Sequence, residues 1–275
     1  MAAMAHDLDD ETPRGASDEF SALVGAQIPD LYRYARWLVG DSAEAEDVVG
    51  DTIVRSLERR GQFRGESSLR TWLHQILYHL AIDRSRHVGH EISVREVDDA
   101  WNDESFSVDA AVVVERAETR AELAEALLHL PVHYRTVVVL HDAEGWSASE
   151  IATLLDIGIP AAKQRLRRGR MMLVNVLARA PERHVANQGV PLGCVEARAG
   201  VSDYLDDELN DAERRALEAH LSTCATCPPL FRSLVGVTTS LGALHDPDSV
   251  IDPVLVARIR ARGVESAPNA PSPDE

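Results

Sequence analysis

Lysine is almost missing from this 275-residue sequence: Lys163 stands alone, and arginine supplies the rest of the 28 basic residues. Against 45 Asp and Glu they leave a formal net charge of −17, which excludes nucleic-acid binding through overall charge and confines any such contact to a local patch. No run approaches the roughly 18 consecutive apolar residues that a membrane helix requires. The opening MAAMAHDLDDETPRG is acidic where a secretory signal would be basic and then apolar. A cytoplasmic chain with no membrane partner is therefore expected. Cysteine is scarce as well. Three of them, an odd number confined to residues 194–227, do not make a secreted disulfide framework and point to metal or redox chemistry in a reducing compartment. Catalytic strings are also missing. His90-Glu91 opens an HExxH-like pattern, but Val94 occupies the second histidine position, and neither a P-loop nor a GxSxG string occurs. The Cys224–Cys227 pair lacks the βαβ surroundings of a redox CxxC. No enzyme is expected.

What is present is helical periodicity. Hydrophobic content of 45% with 27% charged residues fits an ordinary folded chain, long enough for two or three small domains with separate small cores. Residues 1–17 read as a disordered acidic leader. Helical spacing begins at Phe20, with a break or kink at Pro29 and a stop at Gly40-Asp41. It continues over about 43–59 and 68–84, and the basic turn RRGQFRGESS separates these two helices. Residues 88–114, rich in Asp and Glu, read as a flexible acidic linker. The β-branched run TVVVL suits a buried strand by propensity but a helix by context. Next comes GWSASEIATLLDIGIPAAKQRLRRGRMML, a helix, a tight turn and a second helix. Ser147 and Glu150 have capping-box spacing, and Pro160 suits the second helix's first turn. That second helix carries Lys163, Arg165, Arg167, Arg168 and Arg170 with no acid among them. Such a face neutralises phosphates in a helix-turn-helix, or else pairs with acidic neighbours such as the linker.

Residues 18–87 and 115–180, joined by the acidic stretch, resemble the two domains of an extracytoplasmic-function (ECF) RNA polymerase sigma factor. The resemblance rests on AEAEDVVGDTIVRSL, FRGESSLRTWLHQILYHLAIDRSR, LLHLPVHYRTVVVLHDAEGWSASEIATLLDI and KQRLRRGR. It implies a transcription initiation factor whose partners are core RNA polymerase and promoter DNA. Glu46, Asp47 and Asp51 would dock on the polymerase, and their acidity suits a basic partner. Arg60, Phe63, Arg64, Arg70 and Arg84 would open and read the −10 element, where single-stranded bases need stacking platforms and phosphate neutralisation. Trp72, Leu73 and Ile76 are expected in the core. The basic helix would read the −35 element. Departures from the family pattern are Gly50 for Gln, His79 for Asn, Asp156 for Gly and Ala161-Ala162 for Thr-Val. A helix-turn-helix regulator with a purely structural zinc module is the alternative.

Cys194, His220, Cys224 and Cys227 form a C-x25-H-x3-C-x2-C array, a closed tetrahedral zinc set with no open position for catalysis. Asn210 and Glu213 cap a helix that brings His220 to its end, and Pro228 can open the next one. CVEARAGVSDYLDDELNDAERRALEAHLSTCATC resembles a zinc-binding anti-sigma domain, here fused behind the sigma-like domains over residues 190–245 and followed by a tail, 246–275. The resemblance implies regulation in cis, by inhibition or by stabilising a conformation, with zinc as a redox switch or a structural staple. A separate anti-sigma factor is a further candidate partner. The expected fold is all-α: two small helical domains, the second a helix-turn-helix, and a small helical zinc-binding C-terminal domain.

Overall fold

A computed structural model describes residues 14–85, 91–178, 181–183, 192–244 and 251–265. Its first four helices are α1 (Arg14–Ala26), α2 (Ile28–Val39), α3 (Ser42–Glu58) and α4 (Leu69–Ser85). Residues 14–17 of the expected leader are helical, and 1–13 lie outside the described residues. Pro29 sits in the first turn of α2 rather than at a kink, because its missing N–H is not needed there. Gly40 closes α2 at φ 79°, a left-handed position where a β-carbon would also meet Leu128 at 2.7 Å. Asp41 starts α3 by accepting hydrogen bonds from the backbone N–H groups of Ala43 and Glu44, both 2.9 Å.

Residues 88–114, expected as a flexible linker, are largely structured. They contain α5 (Val94–Asn102), strand β1 (Phe106–Val108) and the start of α6 (Ala110–Glu118); 86–90 lie outside the described residues. Ser93 and Asp109 cap the two helices, while Val97, Trp101, Phe106, Val108 and Val113 are buried. Apolar anchors inside the acidic composition account for the difference.

Helices α7 (Arg120–Leu128) and α8 (Val132–Val138) follow, and α8 runs on through a π-turn at Val139–Ala143. TVVVL is thus helical: Val137, Val138, Val139 and Leu140 are enclosed on all sides, so burial overrides their strand propensity. The helix-turn-helix is α9 (Ala148–Leu155) and α10 (Ile159–Leu177), with the Ser147–Glu150 capping box formed and Pro160 in the first turn of α10. Between them Asp156 adopts φ 51°, ψ 50°. A side chain there strains the backbone, so Asp156→Gly is expected to stabilise the chain by about 0.5–1 kcal/mol, read as a higher denaturation midpoint.

After β2 (Pro181–Arg183), which pairs antiparallel with β1, come α11 (Cys194–Leu205), α12 (Asp211–Thr223) and α13 (Cys227–Gly242). A last helix, α14 (Pro253–Glu265), lies within the expected tail, where Asp252 caps its first turn by accepting from the N–H of Val254 at 2.9 Å. The expected separate small cores are merged. Buried apolar residues from Val24 to Ile259 form one continuous cluster, and the three cysteines form a second. Close backbone approaches knit the modules together. A β-carbon on Gly236 of α13 would collide with Val114 of α6, so these two helices pack closely; within the helix-turn-helix domain one on Gly169 of α10 would meet Val138 at 2.5 Å.

Candidate functional sites

The Cys3His array converges because α11 begins at Cys194, α12 ends just before Cys224, and α13 begins at Cys227. The four candidate ligand atoms lie within 4.8 Å of one another, and all four residues are buried. Cys194 and Cys224 Sγ are 3.7 Å apart, too far for a disulfide and close to the ~3.8 Å edge of a tetrahedron with 2.3 Å metal–sulfur bonds. His220 Nδ1 lies 2.7 Å from the carbonyl of Leu192, which selects the tautomer that leaves Nε2 with a lone pair. That Nε2 is buried without a hydrogen-bond partner. An orphaned imidazole nitrogen aimed among three thiols fits a metal ion. Burial opposes ionisation of Cys224, but hydrogen bonds from the Thr226 hydroxyl and from the backbone N–H groups of Cys227 and Thr226 prevail and hold its thiol down at about 6. Cys224 is thus the one predisposed to be a thiolate, whereas burial pushes the thiols of Cys194 and Cys227 up, Cys227 to about 12.

The basic face of α10 is partly paired. Lys163 meets Glu208 at 2.5 Å, and Arg168 meets Asp98 of α5 at 2.8 Å. Arg165 is half-buried, with its charge beside Tyr78 and His133. Arg167 is half-buried too, and burial and then Arg168 lower its pKa. Arg170, expected among the phosphate contacts, is a correction: it is 2% exposed and turned inward. It donates to Asp142 at 2.6 and 3.0 Å, to Asp206 at 2.8 and 3.0 Å and to Ser202 Oγ at 2.6 Å. In this conformation it ties α10 to α11 and cannot reach a phosphate.

Several of the first-domain candidates are also engaged. Arg60 and Arg64 are exposed on the turn after α3, and Phe63 packs against Phe20 and Trp72 with centroids 6.2 and 5.4 Å apart. Trp72 is half-buried, and Leu73 and Ile76 are buried as expected. Arg70 lies 4.5 Å from the ring of Trp146, whose other neighbour is His74 at 4.9 Å. Burial pushes the pKa of His74 down to about 4, so it is neutral in this interface between the two helical domains. Arg84 pairs with Asp51 at 2.6 Å. The other two acids of that face meet α14: Arg258 holds Glu46 at 2.6 and 3.0 Å, and Arg262 pairs with Asp47. Sequence reasoning missed these arginines, although Leu255, Val256 and Ile259 at helical spacing after Asp252-Pro253 are a readable signal.

Three family models match in order: "Sigma-70 region 2" over residues 23–90, "Sigma-70, region 4" over 120–173 and "Putative zinc-finger" over 194–227. Among curated relatives, the ECF RNA polymerase sigma factor SigL of Mycobacterium tuberculosis is 33% identical over 158 residues, 55% of this chain and 87% of that one. SigM of the same organism is 30% identical over 58% of this chain and 76% of its own. The chain belongs to the ECF RNA polymerase sigma factors. A solved sigma factor RpoE, in complex with the anti-sigma factor NepR of Bartonella quintana, aligns at 26% identity with a TM-score of 0.42, covering 58% of this chain and 97% of that one. As an ECF sigma factor the protein is a transcription initiation factor that directs RNA polymerase to promoters, and α9–α10 is its helix-turn-helix. No described helix is long and apolar enough to cross a membrane.

Proposed function

We propose that this ECF sigma factor is held closed by its own C-terminal segment, with zinc as the staple that folds that segment. One observation carries the reading: residues after 192 pair with side chains of both sigma domains, on or beside the faces that initiation would use. Asp206 and Glu208 take Arg170 and Lys163 of α10, while Arg258 and Arg262 take Glu46 and Asp47 of α3. On this reading Glu46, Asp47 and Asp51 dock on core polymerase. Arg60, Phe63, Arg64, Arg70 and Arg84 serve the −10 element, and Lys163, Arg165, Arg167 and Arg168 the −35 element. Arg170 is a latch. A separate anti-sigma factor would have to compete with these contacts for Lys163, Glu46 and Asp47.

Zinc, held by Cys194, His220, Cys224 and Cys227, would crosslink α11, α12 and α13, a segment with little core of its own. The fully buried His220 and nearly buried thiols favour the staple over an exposed sensor. Transcription from core polymerase tests the closure. Reversing charge on α14 (Arg258→Glu with Arg262→Glu) leaves the α3 acids intact and sets like charges against them. Each exposed pair contributes under about 1 kcal/mol, so run-off product should rise on the order of fivefold. Unchanged output from the double variant would refute cis closure by α14. Point variants are preferable to truncation, because removing α13 would uncover the Val114 face of α6.

A further inference from the structure

Arg198 lies on α11 one turn after Cys194, and it is 4% exposed. Its guanidinium donates to the carbonyls of Trp101 and Asp103, both at 2.8 Å, of Phe106 at 2.9 Å and of Glu104 at 3.4 Å. All four acceptors belong to the connector between the two sigma domains, just where α5 gives way to β1. On its other side the same guanidinium donates to Thr226 Oγ1 at 3.3 Å and reaches the Cys227 thiol. Thr226 is fully buried; its hydroxyl lies 3.4 Å from Cys224 Sγ and 3.9 Å from Cys194 Sγ, and its carbonyl accepts from Ser107 Oγ at 3.2 Å.

We infer that Arg198 is a positioning residue that ties the conformation of the connector, residues 101–108, to the state of the Cys3His knot. The inference rests on the reading that this knot holds zinc. Arginine suits the role because its planar fork stays charged and serves several acceptors at once. Three thiolates and a divalent cation carry a net charge of −1, so the guanidinium also balances the knot. When the knot opens, Thr226 moves, the carbonyls lose their shared donor, and the connector is released. The spacing between the domain that serves the −10 element and the helix-turn-helix then becomes variable. Trp101 adds a second hold, since its Nε1 donates to Asn175 Oδ1 of α10 at 2.7 Å, and it is lost with the same movement.

Amide hydrogen exchange on the full-length protein, with metal content measured on the same samples, tests the tether. In the wild type, stripping metal with a chelator should speed exchange across residues 101–108 by at least tenfold. Arg198→Ala should show that speed with its metal still bound and α12 still protected, and chelator should add little there. Should the alanine form fail to fold, Arg198→Lys decides, because one ammonium cannot span the carbonyls and Thr226 together; its connector should exchange at an intermediate rate. Connector protection unchanged in both variants, or unchanged after the wild type has lost its metal, overturns the tether. A wild-type chain that takes up no zinc overturns the zinc assignment instead, and the variants then judge the Arg198 contacts on exchange alone.

Discussion

His220→Ala is expected to reduce zinc binding by several orders of magnitude, melt α11–α13 and raise transcription from core polymerase. The three outcomes come from one cause. Structural zinc in small domains contributes on the order of 10 kcal/mol of apparent folding free energy at neutral pH, comparable with the whole stability of an ordinary domain. Here the ligands are also the helix ends: Cys194 and Cys227 open α11 and α13, and Cys224 caps α12 one turn after His220. Without the metal those ends lose their shared crosslink, so Asp206 and Glu208 are held less firmly opposite Arg170 and Lys163. The variant should therefore be less stable yet more active, a combination that simple misfolding does not produce. Metal stoichiometry, thermal melting and run-off transcription on one preparation provide the check. Loss of zinc with transcription unchanged or lower would exclude inhibition by the module. Cys227→Ser is the companion, with similar volume and one thiolate fewer.

The elements with strong local signals were legible in the sequence. The helix boundaries at Ser147, Pro160, Asn210 and Pro228 follow from capping chemistry, and each lies where its side chain satisfies or avoids an end N–H. The Cys3His cluster was legible because ligand spacing and residue type are chemically restrictive. Two regions were misread for the same reason. In residues 88–114 and in α14, acidic or Pro-rich composition outweighed short apolar patterns, Val97/Trp101 and Val256/Ile259, that acquire partners only from distant parts of the chain. Ser93 with Glu96 three residues on was a usable start signal for α5. Pairing of charges between modules was not legible at all. Whether a basic helix faces phosphate or a carboxylate depends on which surface packs against it, and on α10 carboxylates take both an enclosed Arg170 and a half-exposed Lys163.

That contrast yields the second large effect, at Arg170. Replacing it by methionine keeps much of the volume but leaves Asp142, buried, and Asp206, nearly so, without their cation. Breaking a buried pair from one side typically destabilises by about 3–5 kcal/mol. The pH dependence should invert as well. In the wild type, burial would raise the pKa of Asp142, but the His141 hydrogen bond and then Arg170 reverse this and hold it below 3.8. A depressed carboxylate contributes stability that is fully present above its unfolded pKa and is lost as pH falls through the folded value, so this site is indifferent between pH 7.5 and 5.5. With Arg170 gone, burial, the largest single influence, is opposed only by His141, and the folded pKa rises. The folded state then takes up protons before the unfolded one, and stability falls with increasing pH across the window above about 4. Urea denaturation of both forms at pH 7.5 and 5.5 should show a deficit that is larger at the higher pH. If Arg170 were instead a phosphate contact, the methionine form would keep its stability at both pH values and lose promoter affinity, with a salt dependence shallower by about one charge. The enclosed geometry predicts the reverse: a weaker fold, an α10 released from Asp206, and promoter binding that does not fall.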